Sequence, residues 1–261
     1  MKPKINLRLC VAGEESLLPL FENCLISYLK FFEIEKLLIY TTENFYERVK
    51  KIAPFGKIYD IDKFYEEYYD KFSESVKEVL DYAKEHNYHH ETPENKKKKL
   101  FYERILHVMD YYLIKDSFIL SDIDIEIFDN IKPILDWINS DYILYNSDYL
   151  DNYYDHNPKI VESVGGVDFF KPIPKFNFGW VCIPKSIKLN IDKIYEIVKQ
   201  DINHWCSVQT AVPIEIIKNK IKTKILPREL MVTKDTKKSE MKNKTLAHFD
   251  PYGLLWRNIN V

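Results

Sequence analysis

The hydrophobic pattern of the chain alternates between strand and helix signals. Ile5–Ala12 is apolar-rich and reads as a strand, ended by Gly13. Ser16–Phe32 places Leu17, Leu20, Phe21, Cys24, Leu25 and Tyr28 at helical spacing. Lys36–Tyr40 reads as a second strand, Glu43–Lys51 as a short helix closed by a Pro54–Gly56 turn, and Lys57–Asp60 as a third strand. This βαβαβ rhythm predicts an α/β fold with a mostly parallel central sheet flanked by helices. Residues 62–92 are Tyr- and Glu-rich and predict helix and loop laid over that core. Thr92-Pro93-Glu94 has the form of a helix start, with Thr as N-cap and Pro in the first turn. The helix is expected to run to about Ile114, burying Leu100, Ile105, Val108 and Tyr112.

A strand over Ser117–Ile123 follows, then a helix over Ile131–Ile138 and a strand over Asp141–Tyr145. Phe176–Ile183 reads as a strand, and Ile191–Lys199 and Cys206–Ile217 as helices. Between them, Asn146–Lys175 carries aspartates, tyrosines, Gly165-Gly166 and prolines. A long irregular segment of that kind is often functional. No internal repeat and no linker divides the chain, so a single domain over 1–261 is expected.

Composition narrows the class without naming it. Hydrophobic content of 46% and charged content of 30% describe a water-soluble globular chain. A net charge of −2 supplies no basic field for nucleic acid. The four cysteines, Cys10, Cys24, Cys182 and Cys206, are scattered and form no CxxC, so they read as small core residues in a reducing compartment. The opening MKPKINLRLCVAGEES has too short an apolar run for a secretion signal, and nothing approaches the roughly 18 apolar residues of a membrane span. The expected location is cytoplasmic.

The chemistry concentrates in 117-SFILSDIDIEIFDN-130, where an apolar run ends in Asp122-Ile123-Asp124. A strand sends residues i and i+2 to one side. Two carboxylates facing one way repel each other unless a cation lies between them. Mg²⁺ and Mn²⁺ prefer such oxygen ligands and share them with substrate phosphates. Open parallel sheets also bind ligands beyond the carboxyl ends of their strands. The plainer reading makes Asp122 a turn cap and Asp124 a solvated side chain. Two further features favour the cation: Asn177-x-Gly179 in 176-FNFGWVCI-183, where Gly permits close approach, and His248 in the turn-like 246-LAHFDPYG-253.

These motifs resemble those of GT-A-fold, nucleotide-sugar-dependent glycosyltransferases, nearest in style to the retaining, glycogenin-like group. The resemblance rests on Ser121-Asp122-Ile123-Asp124 after Phe118-Ile119-Leu120, on Phe176-Asn177-Phe178-Gly179, on Val208-Gln209-Thr210-Ala211 and on His248. It implies a GT-A-like (Rossmann-like) fold, with residues 1–130 as the nucleotide-binding half and 131–261 as the acceptor-binding half. It implies that Asp122 contacts ribose and metal, that Asp124 ligates Mn²⁺ (or Mg²⁺), and that His248 is the third protein ligand. Ala12, Gly13 and Glu14 would hold the nucleotide, and Arg104 would meet sugar or phosphate. Asn177 and Gly179 would line the sugar pocket, with Gln209 beneath the anomeric carbon. The activity implied is transfer of a hexose from a nucleotide-sugar donor, UDP-sugar before GDP-sugar, to a hydroxyl of a glycan, protein or lipid.

The chain departs from the pattern in two places. Val208 stands where the family has Asp before its Gln, and Gly253 comes late, with Arg257 in place of a lysine. Gln209 favours retention. An inverting enzyme would need a base such as Asp148, Asp151, Asp155 or Asp168, and no spacing selects one. Lys96–Lys99 reads as a solvated helix face, and His86, His89 and His90 as a polar loop. Two other readings stay open. In a haloacid-dehalogenase-like phosphatase the first Asp would be a nucleophile, although here Glu126 occupies the usual Thr or Val position. The other is a non-catalytic carbohydrate- or protein-binding module on a degenerate transferase fold.

Overall fold

In the computed structural model, which describes residues 1–13, 15–86, 99–147, 157–174, 176–204, 206–232 and 236–248, the first half follows the predicted alternation. Strand β1 (Lys4–Val11), helix α1 (Leu17–Phe31), β2 (Glu33–Thr41), α2 (Glu43–Ile52) and β3 (Lys57–Asp60) succeed one another. β2 begins earlier than its apolar run. Glu33 and Glu35 leave their side chains outside while Glu33 pairs with Lys4 across the ladder. The stretch after β3 holds two helices, α3 (Ile61–Tyr68) and α4 (Glu74–Glu85). Each has a side-chain cap: Asp60 accepts from the Lys63 amide at 2.9 Å, and Ser73 Oγ from the Val76 amide at 3.4 Å. The predicted start at Thr92 lies outside the described residues; helix α5 is described from Lys99 to Leu113.

Strand β4 (Phe118–Ser121) is shorter than predicted, because Asp122–Asp124 form a turn into β5 (Ile125–Ile127). The remaining elements are α6 (Lys132–Ile138), β6 (Ile143–Ser147), α7 (Pro158–Ser163), β7 (Phe176–Ile183), α8 (Ile191–Val198), α9 (Ser207–Lys218), β8 (Thr223–Leu226) and β9 (Leu246–His248). Strands β5, β8 and β9 are too short to show as periodic signals. Helix α7, capped by Asn157, occupies part of the segment expected to be irregular.

The main sheet has seven strands in the order β3-β2-β1-β4-β7-β6-β8. All are parallel except β7, which runs against both neighbours. Leu7, Leu9 and Val11 point to the face covered by α1, α2 and α6. Leu38, Tyr40, Leu120 and Val181 point to the face covered by α3, α4, α5, α8 and α9. Each fully buried Leu, Ile or Phe contributes about 1.5–3 kcal/mol, so burial on both faces fixes the register. All four cysteines are free thiols, with Cys24, Cys182 and Cys206 buried in the core and Cys10 half-buried. No helix among the described residues is long and apolar enough to cross a membrane.

Candidate metal and ligand site

The site is assembled from three strand ends. The Asp122 amide leaves β4 by donating to the Gly179 carbonyl at 2.7 Å, which ties the turn to β7. Beyond the turn, β5 pairs antiparallel with β9, and this register sets His248 opposite Ile125. The C-terminal strand is held at its other end by Thr245, whose amide donates to Leu230 and whose hydroxyl donates to Asn130. As a result, one ligand atom each from Asp122, Asp124 and His248 lie within 4.8 Å of one another. The expectation that the carboxylates share one face of a strand is corrected: they converge across a turn. Asp122 stays open to solvent and Asp124 is buried, 8% exposed.

The donor set suits a divalent cation. Asp124 Oδ1 is buried with no hydrogen-bond partner, and it faces His248 Nε2 at 3.5 Å. An unsatisfied buried carboxylate oxygen is costly, and a cation is one way to satisfy it. Metal–ligand distances of about 2.1 Å put adjacent octahedral ligands about 3 Å apart and opposite ones about 4.2 Å apart, and only one pair of three can be opposite, so the three atoms must draw together to share an ion. Desolvation and the charge of Asp124 push the Asp122 carboxyl up to about 7, against the pull of His248 and Arg8, although one side of the residue meets solvent. Two acids held this close carry the repulsion that a cation relieves.

Gly179 makes room for the cluster. A Cβ there would lie 2.8 Å from Asn177 Oδ1, 3.0 Å from Asp122 Oδ2 and 3.0 Å from His248 Cε1. A bulge in β7 brings the glycine to this point. Between the pairs Tyr145–Val181 and Ser147–Phe176, β6 advances two residues and β7 five. Asn177 Oδ1 closes the bulge by accepting from the Gly179 amide at 2.6 Å. Asn146, with its amide nitrogen turned toward β7, donates to the carbonyls of Trp180 at 2.9 Å and Asn177 at 3.2 Å. Trp180 is anchored in turn by its Nε1–H, which donates to the Tyr28 hydroxyl at 2.8 Å.

Under the turn, a polar stripe runs between α5 and the sheet. Arg8 on β1 donates through Nε and Nη2 to both carboxylate oxygens of Asp110, at 3.1 and 2.8 Å, and both residues are largely buried. On the same helix, desolvation and the charge of Asp122 push Glu103 up to about 7, opposed by Arg104. Desolvation also drives Cys10 up to about 12, so its thiol stays protonated. Sequence reading missed Arg8, Asp110 and Asn146. The available signal was a charge inside the apolar run of β1, since a buried Arg requires a partner.

The other sequence candidates are placed as follows. Ala12 and Gly13 follow β1, the strand next to β4, and Gly13 has a positive φ of 110°. Glu14 and Arg257 lie outside the described residues. Arg104 is 1% exposed, and its Nη2 donates to the His204 carbonyl at 2.6 Å. It therefore docks the loop that leads into α9. Gln209 sits in the first turn of α9, half-buried. That turn is fixed by Asn157, which donates to Ser207 Oγ at 2.9 Å and to Asp201 at 3.1 Å.

No protein-family model and no curated protein sequence matches the chain. Solved structures do. Mouse xyloside xylosyltransferase 1 in its apo form superposes with a TM-score of 0.56 at 10% identity, over 95% of this chain and 98% of that one. The galactosyltransferase LgtC, in complex with donor and acceptor sugar analogues, gives 0.51 at 12% identity, over 94% of this chain and 87% of that one. An active-site mutant of LgtC gives 0.52 at 12% identity over the same shares. At such identities the likeness establishes the architecture: this chain has the GT-A-like fold found in glycosyltransferases.

Proposed function

We propose that the protein is a metal-dependent glycosyltransferase that moves a hexose from a nucleotide-diphosphate sugar to a hydroxyl acceptor. The observation that carries the reading is the convergence of Asp122, Asp124 and His248 beyond the carboxyl end of β4 in a GT-A-like sheet, with a buried Asp124 oxygen that has no hydrogen-bond partner. A Mn²⁺ or Mg²⁺ ion held there would offset the negative charge that develops on a departing nucleoside diphosphate. Asp122, Asp124 and His248 would hold that cation, and Gly179, by lacking a Cβ, leaves the space in which the Asp122 and His248 side chains meet. Asn177 accepts from the Gly179 amide with its Oδ1, and its amide nitrogen is the donor assigned to a sugar hydroxyl. Ala12, Gly13 and Glu14 hold the nucleotide, and Gln209 stands under the anomeric carbon in a retaining reaction. UDP-sugar is the favoured donor and GDP-sugar the second. The acceptor is a glycan, protein or lipid.

Arg104 is assigned a positioning role, because its guanidinium donates to loop carbonyls. The phosphatase alternative gains nothing from this fold. A binding module remains the rival, and turnover separates the two. The test is a thermal-shift panel of UDP, GDP, CDP and ADP with Mn²⁺ or EDTA, on wild type and Asp124→Ala. A nucleotide at 100 times its Kd stabilises the folded state by about 2.7 kcal/mol, or roughly 5–10 °C for a chain of this size. Stabilisation by one nucleotide only with metal, lost in Asp124→Ala, supports the reading. A folded protein indifferent to all four removes it. Metal-dependent hydrolysis of the matching nucleotide sugar then excludes the binding module, and the anomeric configuration of the product decides retention.

A further inference from the structure

A cavity extends from Leu120 and Phe178 toward the start of β4, between the C-terminal half of α5, the loop after β7 and helices α8 and α9. Its volume is about 300 Å³. That is about twice the size of an apolar cavity known to stay dry and to admit benzene, ~150 Å³. Phe118, Leu120, Phe178, Ile183, Ile194 and Val212 form its walls. Two ionisable groups line the interior, and neither offers a charge to a ligand. Asp110 is taken by Arg8. His107 packs edge-on against Phe178 with ring centroids 4.4 Å apart, and desolvation lowers it to about 3, so the imidazole is neutral.

The mouth has the opposite character. Tyr111 is 45% exposed there, beside exposed Lys115 and Lys188. Lys188 makes no ion pair among the described residues. It is shared with a polar depression lined by Ser186, Asn190, Lys193, Glu215 and Asn219. Lysines 115, 188 and 193 stand here with Glu215 and Asp192, and the neighbouring Asp116 is already paired with Lys36 and Lys185. Because β7 runs antiparallel to β4, the mouth near Ile183 and Phe118 is at the sheet edge opposite Asp122. A head group held at that mouth lies about 13 Å from Asp122, the span of four strand residues.

We propose that this cavity binds the apolar chain of a single-chain amphiphile whose anionic head rests on Lys115 and Lys188. A mainly apolar interior disfavours a polar ligand and rewards burial of methylenes at about 0.8 kcal/mol each. Its volume accommodates roughly ten carbons, at about 30 Å³ each, comparable to a water molecule's share of liquid. The inference is independent of the transfer reading, and its test uses no turnover. Dodecanoate, dodecyl phosphate, dodecanol and butyrate are titrated calorimetrically into the intact protein below their aggregation concentrations. Dodecanoate or dodecyl phosphate is expected to bind at one site per chain, the tighter of the two identifying the head group, with dodecanol at least tenfold weaker and butyrate silent. Val212→Trp fills the cavity and is expected to abolish binding. If it fails to fold, Ile187→Trp at the mouth serves instead. The pair Lys115→Glu and Lys188→Glu is expected to lose the preference for the anionic heads. No binding of either anion to folded wild type, or binding unchanged in the filled variant, overturns the site; equal affinity for dodecanol overturns the anionic head.

Discussion

Gly179→Ala is the sharpest probe of the site, because it adds one methyl where three site side chains meet. Gly179 does not have a positive φ, so alanine fits the backbone and the effect is purely one of space. The new Cβ would sit 3.0 Å from His248 Cε1 and 3.0 Å from Asp122 Oδ2. Carbon atoms rest at about 3.5–4.0 Å, so the imidazole must retreat by roughly 0.5–1 Å. Metal ligands tolerate only about 0.2 Å. Asn177 cannot yield easily, since its Oδ1 is bound to the Gly179 amide at 2.6 Å. Overpacking of this kind costs about 1–3 kcal/mol, which lowers Tm by roughly 2–12 °C and leaves a folded protein. Metal affinity should fall further than stability, by about 10–100-fold, the range seen when groups supporting a metal site are disturbed. The assay is a Mn²⁺ titration in the presence of the stabilising nucleotide, read by calorimetry, with urea unfolding run in EDTA. If Gly179→Ala binds metal and nucleotide like the wild type, the cluster of Asp122, Asp124 and His248 around Gly179 is not the metal site.

Three further outcomes are expected. The Asp122 carboxyl is raised in the folded state by desolvation and by Asp124, to about 7, from 3.8. Between those values the folded state holds more protons than the unfolded one, so metal-free stability from this group declines as pH rises. In EDTA, Asp122→Asn should therefore gain Tm over wild type at pH 8 and not at pH 4, by less than the shift alone implies because Asp122 meets solvent. Equal Tm differences at both pH values would count against the raised carboxyl. Second, Arg8→Leu leaves Asp110 buried without its partner and should cost about 3–5 kcal/mol in urea denaturation, while Arg8→Leu with Asp110→Leu recovers most of it. A double variant as unstable as the single one would show that the pair does more than neutralise itself. Third, Arg104→Met removes donors from the His204 and Ile202 carbonyls and should destabilise by about 1–3 kcal/mol. A variant of unchanged stability with weakened nucleotide binding would return Arg104 to the phosphate contact that the family resemblance implies.

The sequence by itself determined the first half of the sheet and the place of the acids. Runs such as Leu7-Arg8-Leu9 and Leu37-Leu38-Ile39 are buried on both faces, and that is legible because strand and helix periods are local properties. It also marked Asp122, Asp124, Asn177, Gly179 and His248, which the fold gathers into one cluster. What tertiary structure decided is how they meet. The aspartates converge across a turn, because β4 stops at Ser121 and the chain bends into β5 while the Asp122 amide stays tied to the Gly179 carbonyl of the neighbouring strand β7. His248 arrives through β9, a strand of three residues whose existence depends on its pairing with β5. Gly179 reaches them through a bulge that needs Asn146 and Asn177 in place. Arg8 and Asp110 find each other 102 residues apart. Hydrogen bonds and ion pairs of such separation leave no periodic trace in the chain. They form only where packing has already brought the backbone together, and for that reason Asp122, Asp124 and His248 could be marked in the sequence while the way they meet could not.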